Sequence, residues 1–168
     1  GGWAYGEQQD HPGEQRRWHE ILVPRERLVQ AVTGPQADGL SLAGSWAGEA
    51  LRIEAWRPRL GPDTDDRTVP HELDWLRTAV HLAKGCYKGQ ETVARVHNLG
   101  HPPRRLVFLD LDGSEHTLPS AGAEVIAGQR TVGRVTSVQL HHEAGPIALA
   151  VVKRSVDTQA ELRVREVL

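Results

Sequence analysis

The chain of 168 residues is 39 % hydrophobic and 25 % charged, which is enough apolar material for one core or two small ones. Its formal net charge of -2 offers no overall electrostatic case for binding nucleic acid or a membrane surface. A single cysteine excludes an internal disulfide, and no apolar run approaches the roughly 20 residues of a membrane span. A cytoplasmic protein is therefore expected. The absence of methionine and the Gly1-Gly2-Trp3 start, without a signal segment, read as a piece of a longer chain.

Residues 1–17 are polar and glycine-rich without a period, which predicts a loop. Trp18 to Val23, with Ile21 and Leu22, predicts a short strand. Pro24 suits the first turn of a helix running to about Val32, ended by Gly34 and Pro35. Ser45 is the expected cap of a helix in which Trp46, Ala50 and Ile53, flanked by Ala47 and Leu51, form an apolar stripe. Residues 57–70 form a long irregular connection. Its Asp63, Asp65 and Asp66 invite a calcium reading, but the glycine and glutamate that an EF-hand needs at its sixth and twelfth positions are not there. His71 to Leu82 is expected to be helical and then extended.

The period returns to that of a helix from Gln90 to Leu99, with Gly100 as its stop. From Arg104 onward it changes to two. Five β-rich runs, RRLVFLDLDG, AEVIAG, TVGRVTSVQL, PIALAVVKR and AELRVREV, are separated by turn signals such as Asp112-Gly113 and Ala144-Gly145. That spacing predicts a small antiparallel barrel or sandwich. Pro102 and Pro103 mark the linker, giving a mixed region over 1–101 and a β module over 102–168.

The nine histidines do not suggest a metal. His141 and His142 are adjacent and would face opposite sides of a strand, and His81, His97 and Cys86 match no closed zinc spacing. An iron–sulfur cluster needs about four ligands, so Cys86 could supply at most one shared ligand.

The stretch with most chemistry is Lys84 to Glu91, KGCYKGQE. Gly85 and Gly89 allow the thiol of Cys86 to be carried on a tight turn. Just behind it begins the Gln90 helix, whose free amides, with Lys84 and Lys88, favour a thiolate. Of the 20 basic residues 17 are arginine, so two of the three lysines flanking one cysteine is not the compositional default. The opposing reading is a small buried cysteine of the kind common in cores.

KGCYKGQE followed by TVARVHNLG resembles the signature of the YgfZ-type folate-binding proteins, relatives of the glycine cleavage system T protein, an aminomethyltransferase. A second stretch, Leu51 to Glu72, resembles the T-protein pattern of an LRLEAG-like helix and an acid-containing loop ending in Pro-x-Glu, with Arg52, Glu54, Gly61, Asp65, Pro70 and Glu72 at the matching positions. The resemblance is strong over about 45–110. It implies an α+β region followed by an all-β one: the C-terminal part of a folate-binding aminomethyltransferase-like domain and then an antiparallel β-barrel, with the family's N-terminal half missing from this chain.

It also implies tetrahydrofolate as ligand, with Arg52, Glu54, Glu72, Lys84, Tyr87 and Gln90 as candidate folate-binding residues and Cys86 as a functional thiol. Arginine can grip a folate carboxylate bidentately, and a carboxylate can accept the paired N–H donors of the pterin edge. The YgfZ-type branch, which carries the Cys form of the signature, implies an accessory role toward iron–sulfur client proteins, including tRNA-modifying enzymes. The alternative is an aminomethyltransferase. An RNA-binding module resting on Lys84, Lys88, Arg95, Arg104 and Arg105 is disfavoured, because aromatic residues make up only 5 % of the chain and no stacking motif appears.

Overall fold

The computed structural model describes residues 18–34, 39–115 and 117–166. A 3-10 turn (Arg25–Arg27) leads into helix α1 (Leu28–Thr33), followed by α2 (Ser45–Glu54), a second 3-10 turn (Pro70–Leu73), the single turn α3 (Trp75–Thr78) and α4 (Gln90–Leu99). Five strands follow: β1 (Arg104–Asp110), β2 (Glu124–Ala127), β3 (Arg130–His141), β4 (Gly145–Lys153) and β5 (Leu162–Arg165). They form one antiparallel sheet in the order β1-β4-β3-β2-β5. Helices followed by an antiparallel β module is the architecture expected from the sequence, and each of the five β-rich runs contains a strand. The sheet is a partial barrel: β1 and β5 lie at its two edges and are not paired with each other among the described residues.

Strand β4 explains why the helical region and the sheet pack as they do. Successive side chains of a strand point to opposite faces, and here both faces are covered. Ala148, Ala150 and Val152 join Val125 and Val135 in a core inside the curved sheet. Ile147, Leu149 and Val151 join Leu106 in a second core, closed by Ile53 of α2 and Leu73 of the 3-10 turn. A strand buried on both sides must be apolar throughout, which is why PIALAVV reads as a continuous run rather than an alternating one. Ile53 and Leu73 are 0 % and 1 % exposed, each contributing about 1.5–3 kcal/mol by burial. Trp56, at the end of α2, adds a stacked contact with Phe108 of β1 at 6.0 Å. Pro102, in the expected linker, is itself buried.

One glycine is dictated by packing. A Cβ on Gly133 in β3 would stand 2.3 Å from the Val151 carbonyl oxygen and 2.7 Å from Val152 Cα, so only glycine lets β3 approach β4 there.

Several local expectations are corrected. Trp18 to Val23 forms no strand; Ile21 and Leu22 are 82 % and 96 % exposed, and an extended run without a partner ladder has no hydrogen bonds to hold it. The α2 cap is Gly44 rather than Ser45, with no side-chain cap bond. The α2 stripe turns on Ala50 and Ile53, whereas Trp46 points to solvent. After α3, residues 79–82 do not become a strand. The expectation for residues 1–17 lies outside the described residues. No helix among those described is long and apolar enough to cross a membrane.

Candidate functional site

The cysteine turn is built by local chemistry. Gly89 caps α4 at φ +84, a left-handed conformation that favours glycine. Gln90 then closes the turn in both directions: its side-chain oxygen accepts from the Tyr87 amide at 3.1 Å, and its own amide donates to the Tyr87 carbonyl at 3.2 Å. Tyr87 is half-buried and lies under the ammonium of Lys84, 5.6 Å from the ring centroid, within cation–π range. Cys86 sits one residue ahead of this clasp and is exposed, as are Lys84 and Lys88. Four of the sequence-predicted residues, Lys84, Cys86, Tyr87 and Gln90, are thus brought together by one turn at the start of α4. That helix rests on the protein through Val93, its one buried residue, and through His97, whose ring lies 6.3 Å from that of His71. Burial, and then the neighbouring His97, lower the pKa of His71.

The other three predicted residues belong to polar networks between the helical region and the sheet. Arg52 of α2 is only 7 % exposed. Its guanidinium donates to Glu49 at 2.9 and 3.1 Å, to Asp63 at 3.0 Å, to the Arg57 carbonyl at 2.7 Å and to the Ser137 hydroxyl at 2.8 Å. Asp63, 1 % exposed, also accepts from Ser137 at 2.7 Å and Thr136 at 2.5 Å. Neighbouring residues of a regular strand could not both point at one carboxylate. The register shift between Val135 and Ser137 is a bulge that turns both hydroxyls the same way.

Glu72, fully buried, is held by Arg104 through two parallel hydrogen bonds of 2.9 and 2.8 Å. The same guanidinium reaches Asp65 at 2.6 and 3.1 Å, and Arg134 reaches Asp65 at 3.3 Å. The hydrogen bonds from Arg104 hold the Asp65 carboxyl well below the usual carboxylate range, against the opposing effect of burial, and in turn Asp65 and then Glu72 hold the Arg104 pKa up. Asp63 and Asp65, two of the three aspartates that invited a calcium reading, are therefore occupied by arginines, hydroxyls and backbone amides.

Glu54, at the C-terminal end of α2, is different. Its carboxylate is 36 % exposed and lies 3.7 Å from Nε2 of the buried His141. Nδ1 of that ring accepts from the Glu143 and Ala144 amides at 3.3 and 3.1 Å, which places the ring proton of neutral His141 on Nε2, facing Glu54. Beside the N-terminal turns of α2, a cavity of about 380 Å³ is bordered by Trp18, Ser45, Gly48, Arg52 and Arg57. The Arg57 guanidinium lies 5.5 Å from the Trp18 ring centroid.

Asp63 enters the sequence reading of candidate sites only through calcium, Arg104 only through RNA and His141 only through metal, while Thr136 and Ser137 do not enter it at all. The aspartate-rich loop was the one visible signal, and it pointed to a cation; the cation proved to be guanidinium. An arginine at a strand start and a Thr-Ser pair inside a strand carry no local mark.

Residues 104–167 match the family model of the glycine cleavage T-protein C-terminal barrel domain. The chain is 36 % identical over 137 residues to an aminomethyltransferase of Nostoc sp., covering 79 % of this chain and 35 % of that protein. It is 33 % identical over 140 residues to an aminomethyltransferase of Streptomyces coelicolor, covering 79 % of this chain and 37 % of the relative. Similarity to the tRNA-modifying protein YgfZ of Pectobacterium carotovorum is 28 % over 173 residues, covering 94 % of this chain and 51 % of the relative. The chain thus spans about a third of the length of these aminomethyltransferases and about half that of the YgfZ protein.

Proposed function

We propose that this chain, which belongs to the family uniting glycine cleavage T proteins with YgfZ-type proteins, is the C-terminal part of a tetrahydrofolate-binding accessory protein that supports iron–sulfur client enzymes, tRNA-modifying ones among them. The observation that carries the reading is the Cys86 turn: an exposed thiol, held ahead of a helix by the Gly89 cap and the Gln90 clasp. A solvent-facing sulfur on a fixed turn suits exchange with a partner, either attacking the outer sulfur of a partner's persulfide, whose own thiolate leaves, or serving as one shared cluster ligand. Lys84, Tyr87 and Gln90 shape that turn. A relative matched over 94 % of this chain is a tRNA-modifying protein, which supports the accessory branch.

For folate, Glu54 is the predicted carboxylate with exposed surface, suited to the paired donors of a pterin edge. Arg52 and Glu72 act by positioning: the first anchors α2 to β3, the second anchors the Pro70–Leu73 turn to β1. The cavity beside Trp18 adds an aromatic face and the Arg57 guanidinium, a natural partner for a glutamyl carboxylate. The family resemblance implies that the N-terminal half completes the site. Calorimetry with tetrahydrofolate should show binding by the longer protein containing this chain and weaker binding by residues 1–168. Cys86→Ser in that protein should keep folate affinity and lower the activity of iron–sulfur enzymes in cells lacking the native copy.

The identity to aminomethyltransferases favours a second reading, one-carbon transfer from an aminomethyl-lipoyl carrier. If the Ser variant restores the clients fully and the longer protein makes methylenetetrahydrofolate from that carrier, this second reading replaces the first.

A further inference from the structure

The two edge strands of the sheet meet at one cleft. A cavity of about 500 Å³ lies between the end of β1, at Leu109 and Asp110, and the stretch of β5 from Leu162 to Val164, with Pro146 at the start of β4. Among the described residues β1 pairs with β4 alone and β5 with β2 alone. Alternate residues along each edge therefore turn their N–H and C=O groups away from the ladder. The floor is apolar: Leu109, Leu111, Leu162 and Val164 are partly buried and packed on the inner core. The mouth is acidic. Asp110, Asp112, Glu161 and Glu166 border it, and the one cation among its described lining residues, Arg163, is already paired with Glu161 at 3.1 Å.

We propose that this cleft is a docking groove for an extended, basic polypeptide segment of a partner protein, which adds as a strand along the free edge of β5. Three properties select that occupant. A row of backbone donors and acceptors is matched by another backbone in extended form. An apolar floor takes every second side chain of such a strand. The acidic mouth attracts lysine or arginine on the intervening side chains and repels phosphate, which excludes nucleic acid. The groove shares no lining residue with the Cys86 turn or with the cavity beside Trp18, so its test is independent of the folate reading.

The probe is a fluorescein-labelled heptapeptide alternating lysine and valine, titrated into the chain and followed by anisotropy, with amide hydrogen exchange to locate it. The basic peptide binds, binding weakens as salt is added, and exchange slows in residues 161–165. Asp110→Asn combined with Glu161→Gln, both exposed, weakens it by about tenfold. A peptide methylated at alternate backbone nitrogens loses binding, as does one with glutamate in place of lysine. The proposal is overturned by no binding at millimolar peptide, by equal binding of the glutamate or methylated peptide, by an unaltered affinity of the double variant, or by protection confined to residues outside β5.

Discussion

Arg104, the first residue of β1, clamps the fully buried Glu72 carboxylate through two parallel hydrogen bonds of 2.9 and 2.8 Å. This pair ties the Pro70–Leu73 turn to the sheet. Its removal from one side leaves the other side buried and charged. Arg104→Ala should therefore destabilise the chain by about 3–5 kcal/mol. Glu72→Gln, which keeps the shape and one acceptor, should cost less. Urea denaturation with unchanged m-values is the check; a loss under about 1 kcal/mol for Arg104→Ala would mean that Glu72 is not held by this guanidinium.

The acid limb of stability should have two parts. For His71, burial and His97 lower the folded-state pKa, so the unfolded chain binds the extra proton. Its contribution is fully present above the unfolded value of about 6.5 and is lost as pH falls from there toward the folded value. For Asp65, the Arg104 hydrogen bonds depress the folded-state pKa. Its contribution is present above the unfolded value of about 3.9 and is lost as pH falls below it. His71→Gln should remove the upper part and Asp65→Asn the lower part. Thermal melts across the acid range, read for shape rather than absolute Tm, test both.

Asp63 should prove the more sensitive end of its network. Asp63→Ala takes a buried carboxylate from Arg52, Thr136 and Ser137 at once, while Glu49, the Arg57 carbonyl and Ser137 still hold Arg52, and should cost about 3 kcal/mol. Ser137→Ala removes one neutral partner while Glu49, Asp63 and the Arg57 carbonyl still hold Arg52, and should cost about 1 kcal/mol. Chemical denaturation of the two variants, ranked against each other, is the measurement. Equal losses would contradict the hub role.

Cys86 should react with iodoacetamide in the native chain without prior unfolding, because it is exposed. For the same reason Cys86→Ser should change stability by less than about 0.5 kcal/mol. Gly89→Ala, by contrast, forces a side chain into φ +84 at a cost of about 1–2 kcal/mol, and should disturb the turn that presents the thiol. Mass spectrometry of the alkylated protein and equilibrium unfolding of the variants read these outcomes. A native thiol that reacts only after denaturation would remove the basis for the proposed role.

Gly133→Ala should be the most disruptive single methyl in the sheet. No flexible side chain can yield to the new Cβ, since its nearest neighbours are the Val151 carbonyl oxygen and Val152 Cα. A loss of stability beyond about 1 kcal/mol is expected. Thermal unfolding of this variant would settle it.

What the sequence by itself determined is what depends on neighbours along the chain. Glycine punctuation and a helical period define α4 to the residue, from the Gly89 cap to Gly100. β-Rich runs bounded by turn residues locate all five strands, because the hydrogen-bonding needs of a turn are met within a few residues. Where that locality failed, a partner was missing or distant: the Trp18 to Val23 run found no ladder, and α2 turned Trp46 to solvent because the face it buries is that of Ala50, Arg52 and Ile53. The tertiary structure alone decided the strand order, the open seam between β1 and β5, and the fate of the charged residues. Arg52 meets Ser137 across 85 positions, and Arg104 meets Glu72 across 32. A guanidinium in the sequence looks the same whether it will face a ligand or a buried carboxylate. The register shift at Thr136 and the packing of two cores on β4 choose between them, and those are properties of the folded chain.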